Sequence, residues 1–244
     1  MLTTAAAHRV LKTDPVMAGL IAAAVRYKPD ATVEQSPFEV LARAIAHQQL
    51  HAAAADNILA RFIALFEGGV FPLPQYVIDA DAARLRAVGF SHAKIAALKD
   101  LAEKAVLGVV PGRAELDALS DEQIIERLTQ VRGIGRWTVE MMLMFQLQRP
   151  DVLPVDDFGV RMGFRLAYGL KGMPKPRALA KFGERWAPHR SIAAWYLWRA
   201  VDLSKQNLLP KCKRAPRIEL QPVAKKKAAS GKKKSPHAVR RKHA

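Results

Sequence analysis

The chain has 244 residues, half of them apolar, enough for one packed domain or two small ones. Its formal net charge of +17 is uneven: 13 Lys and Arg and the single Glu219 follow Pro210, so that end supplies +12 and the body only +5. Cys212 is the only cysteine, which excludes an intrachain disulfide and a four-cysteine iron–sulfur cluster and fits a reducing compartment. The apolar run Val16 to Val25 is too short for a bilayer span, and no basic n-region with a cleavable apolar segment opens the chain. A cytoplasmic, nucleoid-associated protein is expected. The basic balance points to a polyanion partner, nucleic acid ahead of an acidic membrane, with a merely solubilising tail as the alternative.

Asp14-Pro15 has the form of N-cap and N1 of a helix running toward Tyr27. Ser36-Pro37-Phe38-Glu39 is a stronger start, with a capping serine, proline at N1 and glutamate at N3; Phe38, Leu41 and Ile45 then give an amphipathic face. His47 to His51 ends that helix before an alanine-rich one from Ala52 to about Phe66. Gly68-Gly69, Pro72 and Pro74 mark a loop, Asp81 to Val88 a short helix closed by Gly89, and Ser91 the cap of a helix using Ile95, Leu98 and Ala102. Ser120 with Gln123 predicts a capping box and a helix to about Gln130. Later helices are predicted over Phe158 to Tyr168, Arg177 to Trp186 and Ser191 to about Lys205. No period-2 strand pattern and no internal repeat interrupts them, so the predicted fold is all-α over residues 1–209. Residues 210–244, with four prolines among lysine runs, cannot bury enough apolar surface to offset ordering entropy and are expected to be disordered.

The most informative stretch is Leu128 to Arg161. Gly133 and Gly135 interrupt the helical pattern at Val131-Arg132-Gly133-Ile134-Gly135, and a second helix starts near Arg136. Unpaired N–H groups at a helix start beside bare glycine backbone form a seat for a phosphate oxygen, the geometry of a helix-hairpin-helix. About twenty residues later comes Leu153-Pro154-Val155-Asp156-Asp157.

These segments, with Ser36 to Ala55 and Gly89 to Leu101, resemble the helix-hairpin-helix DNA glycosylases, most closely the alkylbase (3-methyladenine, type II) branch, over roughly Gln35 to Lys205. The resemblance implies a two-lobed helical fold, lobes at 35–111 and 120–170 with N- and C-terminal helices forming the rest. Only about 35 residues precede the first matching helix, so the α+β N-terminal domain of some relatives is not expected. The implied partner is duplex DNA with a damaged base, met by a monomer. Two other readings stay open: a non-catalytic helix-hairpin-helix DNA-binding module, and a glycosylase for deaminated or oxidised bases.

From spacing alone, Asp156 and Asp157 either cap the helix at Phe158 or supply a carboxylate for chemistry. The resemblance assigns catalysis to Asp157 and leaves the cap to Asp156. A carboxylate facing deoxyribose C1′ stabilises the oxocarbenium character that develops as the base departs. An alkylated base already carries positive charge, so one carboxylate suffices. Trp137 stands where relatives that also cut the backbone have a nucleophilic lysine, which implies a glycosylase without lyase activity. The implied base pocket is Trp137, Met141, Phe158 and His189, with Met141 where a bacterial relative has a tyrosine; Trp186, Trp195 and Trp198 are further candidates for it, but their helical spacing favours the core. Gln49-Leu50 is the candidate wedge that fills the gap left by a flipped nucleotide, against an ordinary buried leucine. DNA contacts are assigned to Arg132, Gly133, Ile134, Gly135, Arg136 and Thr138, with Lys94 a plain surface lysine. His47 and His51 have no third ligand, so no metal site is expected. The resemblance allows a monovalent cation on the hairpin carbonyls, and no other cofactor.

Overall fold

The computed structural model describes residues 4–28 and 35–210; the basic segment from Lys211, with Cys212, lies outside them, as does the expectation of disorder there. The first part of the chain forms α1 (Thr4–Leu11), α2 (Pro15–Ala23), α3 (Pro37–His47), α4 (Ala52–Ile63), α5 (Pro74–Asp79), α6 (Ala82–Ala87) and α7 (His92–Val106). The rest forms α8 (Arg113–Ala118), α9 (Asp121–Leu128), α10 (Arg136–Phe145), α11 (Phe158–Ala167), α12 (Pro176–Gly183) and α13 (Arg190–Lys205). There is no strand among the described residues, and no helix there is long and apolar enough to cross a membrane.

Local chemistry explains where these helices begin. Asp14, Ser36, Asp81 and Ser91 each accept from backbone N–H groups of the first turn, and Ser120 and Gln123 exchange both bonds of a capping box. The helix from Asp14 stops at Ala23, short of Tyr27. Three short helices, α1, α5 and α8, have no predicted counterpart. In α5 the proline that suggests a loop occupies the first turn, where its missing N–H costs nothing. The helix is held from outside, by Lys99 Nζ donating to the carbonyls of Ile78 and Ala80 at 2.9 and 2.7 Å.

Packing sorts the helices into two groups around one continuous apolar core. In the first, α3, α5 and α6 lie against α7, α4 against α3, and α10 joins α9 and α3. In the second, α13 is the axis, contacting α2 and α11, while α11 also packs on α12. The predicted 120–170 lobe is therefore divided: α9 and α10 go with the first group, α11 with the second. Glycine decides the α11–α13 crossing. A Cβ on Gly163 would fall 1.8 Å from the Leu197 carbonyl oxygen, and one on Gly159 would fall 2.8 Å from Trp198 Cδ1.

The segment between α10 and α11 crosses from one group to the other and is clamped along its length. Arg149 donates to the carbonyls of Leu116 and Leu119, both at 2.9 Å. Asp151 takes a two-pronged ion pair from Arg190 at 2.7 and 2.8 Å. Ser191 Oγ donates to Arg149 O at 2.6 Å and accepts from Val152 N at 2.9 Å. Asp157 stands at the end of this crossing.

Candidate active site

Asp157, rather than Asp156, is the N-cap of α11: its Oδ1 accepts from Val160 N at 2.6 Å. This corrects the sequence expectation, which gave the cap to its neighbour. The cap needs only one oxygen, so the other is left for further bonds. Oδ1 also accepts from Trp198 Nε1 at 2.9 Å, and Oδ2 accepts from Trp137 Nε1 at 2.7 Å. The carboxylate is thus gripped by one indole from α10 and one from α13, one from each group of helices. It is half-buried, neither sealed in the core nor loose at the surface.

The rings around it form an open aromatic surface. Phe158, next in the chain, is 67% exposed and Trp137 51% exposed, so neither belongs to the core. Met141 and Phe145 follow Trp137 at successive four-residue steps along α10, hence on one face. Met141 is partly buried; Phe145 is exposed and stacks on Trp198, centroids 6.0 Å apart and planes 27° from parallel. Beyond Phe145 opens a cavity of about 250 Å³ whose wall includes Tyr27, Met144 and Trp195, with Arg26 and Lys28 also lining it.

His189 is not part of this surface. Its ring is 3% exposed, with Nδ1 buried and unpartnered, because the Arg190 and Ser191 clamps draw the start of α13 inward. Phe145 is the aromatic that sequence reasoning missed, and Trp198 the one it named as a possible contributor but favoured as core. The i+8 spacing from Trp137 pointed to Phe145; for Trp198 the signal was Gly159 and Gly163, two glycines four apart facing α13.

The hairpin turns as its glycines require. Gly133 has φ +79°, a left-handed conformation, and a Cβ there would meet Ala97 on α7 at 3.4 Å. A Cβ on Gly135 would meet nothing within 4 Å, and α10 starts there with no side-chain cap, so its first N–H groups are open to an incoming phosphate. Asp100 and Gln48, also missed, brace the turn. Asp100 Oδ2 accepts from Arg132 N at 2.6 Å and Gln48 Nε2 donates to Gly133 O at 2.8 Å. Partial burial works against the Asp100 charge, but the Arg132 N–H and Lys104 outweigh it and hold the carboxyl below its usual range.

The other DNA-contact candidates divide. Ile134 is a core side chain and offers only backbone. Arg132 is exposed, and Thr138 half-exposed on the first turn of α10. Arg136 has other work: its guanidinium pairs with Glu122 at 2.6 Å and Glu140 at 3.0 Å, tying α9 to α10. Burial raises the Glu140 carboxyl above its usual range, with Arg136 opposing, while the Arg136 hydrogen bond lowers that of Glu122. Lys94 also has partners within the chain. Its ammonium donates to the carbonyls of Ala46 and Gln48 at 2.7 and 2.8 Å, closing α3, and burial lowers its pKa. That closure leads into the turn at Gln49, which has φ +58°, and Leu50, which is 42% exposed rather than buried. His47 pairs with Asp56, and no group of three or more His, Cys, Asp or Glu suited to a metal occurs among the described residues.

A hairpin with open amides, an exposed apolar turn and a carboxylate ringed by aromatics together match a known class. The family model described as HhH-GPD superfamily base excision DNA repair protein matches residues 42–189, and the chain belongs to that superfamily. Among individual relatives, the chain is 46% identical over 179 residues to DNA-3-methyladenine glycosylase 1 of Schizosaccharomyces pombe, covering 73% of this chain and 78% of that one. A solved structure of the S. pombe 3-methyladenine DNA glycosylase in complex with abasic DNA matches with a TM-score of 0.72 and 42% identity, covering 81% of this chain and 97% of that one. A DNA-3-methyladenine glycosidase from Bacillus halodurans matches with a TM-score of 0.73 and 31% identity, over 81% of this chain and 89% of its own.

Proposed function

We propose that this protein is a DNA glycosylase of base-excision repair that hydrolyses the N-glycosidic bond of alkylated bases of the 3-methyladenine type, with Asp157 as its catalytic carboxylate. The activity class follows from the family and from relatives named for it. The residue assignment rests on one observation: Asp157 is a half-buried carboxylate held by three N–H donors beside the exposed rings of Trp137 and Phe158.

The chemistry follows from that arrangement. A carboxylate has about four lone-pair positions, and the three donors leave one, on Oδ2. A fixed negative charge there stabilises the sugar as positive charge develops at C1′, and the remaining lone pair accepts a proton from, or orients, the attacking water. Trp137 and Phe158 give faces on which an extruded cationic base stacks. With the Trp137 N–H engaged by Asp157 and no amine in its place, water is the nucleophile and the product is an intact strand with an abasic site. Leu50 fills the gap in the duplex, and the open amides of Gly135 and Arg136 with the Arg132 side chain hold phosphate. The hairpin carbonyls suit a monovalent cation: Val131 O and Gly133 O each already accept one bond, from Ile134 N and Gln48 Nε2, and each keeps a lone pair. The basic segment after Pro210 adds sequence-independent affinity by counterion release. A monomer working on DNA in the cytoplasm satisfies all of this.

Base release from a duplex carrying 3-methyladenine tests the reading, beside duplexes carrying hypoxanthine and 8-oxoguanine. Free base is expected from the first, with the strand staying whole until alkali is added. No release from any duplex would leave only a DNA-binding module. Release confined to the other two would move the protein to deaminated or oxidised bases.

A further inference from the structure

We propose that Trp198 is a positioning residue for Asp157, and that Gly159 is the residue that lets it reach. The idea rests on the catalytic assignment of Asp157 and adds to it the reason why the carboxylate presents one particular oxygen. Oδ1 accepts from Val160 N and from Trp198 Nε1, which uses both of its lone pairs. Oδ2 accepts only from Trp137 Nε1. Without Trp198 each oxygen would hold one donor and keep a free lone pair, and two hydrogen bonds rather than three would fix the plane of the carboxylate. With Trp198 in place a third bond holds that plane, and the one lone pair left free lies on the oxygen beside Trp137. Oδ2 is thereby selected as the oxygen that faces the sugar or its water.

The contact depends on a missing side chain. On Gly159 a Cβ would lie 2.8 Å from Trp198 Cδ1, 2.9 Å from Trp198 Nε1 and 3.2 Å from Asp157 Oδ1. Any residue other than glycine at that place crowds the edge of the indole that makes the bond and forces it to shift. The indole itself is fixed on its other side, stacked with Phe145. An N-cap aspartate needs no indole to cap a helix, so stability of α11 does not explain the second donor on Oδ1.

The test replaces one atom. Tryptophan at 198 is exchanged for 3-benzothienyl-alanine, in which sulfur takes the place of the indole N–H while size and stacking are kept, and Trp198→Phe and Gly159→Ala are made beside it. Single-turnover base release, affinity for a duplex with an abasic-site analogue, and melting temperature are measured for each in the full chain. The isostere is expected to slow release about tenfold to a hundredfold, the range for a lost hydrogen bond to a charged group. Its affinity and melting temperature should stay at the wild-type values, and Gly159→Ala should slow release in the same sense. A wild-type rate for the isostere, with Asp157→Asn inactive, would reduce Trp198 to packing. A rate that falls only in step with melting temperature or affinity would do the same. If Asp157→Asn itself releases base normally, the catalytic assignment falls and the positioning role falls with it, a result distinguishable from the other two.

Discussion

Trp137 and Asp157 meet across the join between the two groups of helices, the indole Nε1 donating to Oδ2 at 2.7 Å. The exposed ring of Trp137 is thus tied by its edge to the carboxylate. Stacking surface and charge cannot move independently. Under the proposed function, such a pair keeps its geometry while a nucleotide arrives and leaves little reorganisation for the moment of bond breaking.

The cap that Asp157 forms and the catalysis proposed for it are separated by two substitutions. Asp157→Asn keeps a side-chain oxygen for Val160 N and caps about as well as aspartate; its NH2 cannot accept from Trp137, but that ring is 51% exposed and its N–H can turn to water, so thermal stability should change little. Base release should nevertheless be lost, while affinity for an abasic-site analogue persists. Asp157→Ala should lose activity and about 1 kcal/mol of stability as well, the usual worth of a cap. Melting curves beside release assays check both; a stable and active Asn variant would contradict the assignment.

Arg136→Ala should act on stability more than on DNA binding. Glu140 is only 4% exposed, and its partner charge comes from Arg136, whereas Glu122 on the other side is exposed and counts for little. Leaving that buried carboxylate unpaired should cost about 1–3 kcal/mol at neutral pH. The sign with pH follows from the raised pKa of Glu140 in the folded protein. The folded state holds this proton more tightly than the unfolded one, so stability from this group is present at acid pH and lost as pH rises through the raised value. Removing Arg136 takes away the opposing charge and widens the gap. Denaturant melts should therefore show a larger loss at pH 7 than near pH 5; an equal loss at both would place the cost elsewhere.

Gly163→Ala pits two magnitudes against each other. Alanine in a helix interior gains roughly 0.5–1 kcal/mol over glycine. Against that, the new Cβ would sit 1.8 Å from the Leu197 carbonyl oxygen, a clash with backbone that only a shift of α13 relieves. Overpacking of this kind costs about 1–3 kcal/mol or more, so the variant should be destabilised, with base release falling further as Trp198 is carried away from Asp157. A stabilised variant with full activity would show that the crossing has slack.

Leu50→Ala should be nearly silent in the free protein. The side chain is 42% exposed, so its truncation should change stability by less than about 0.5 kcal/mol. On a paired duplex lesion the excision rate should drop several-fold, and less on a lesion in a mismatch, where the base is already easier to extrude. Rates on the two substrates, measured in parallel, decide it; an equal drop on both would remove the wedge role.

The local parts of this molecule were legible in the chain. Capping residues, the glycine hairpin and the proline-flanked pair of aspartates each act within a few residues of themselves, and periodicity sufficed to give an all-α fold. Short helices such as α5 were not legible, because their partner is distant: Lys99 closes α5 from another helix. The same limit explains the corrected residues. Whether Asp156 or Asp157 caps, whether Arg136 meets phosphate or glutamate, and whether His189 faces a pocket or the core all depend on groups far off in sequence. Trp198 is 41 residues from Asp157, and the two glycines after Asp157 announce a close approach without naming the partner. Sequence alone determined which chemical groups were present and which helices would carry them. Only the tertiary structure decided which groups touch, because a hydrogen bond is set by tenths of an ångström, and here that distance is fixed by how closely two glycines let α11 approach α13.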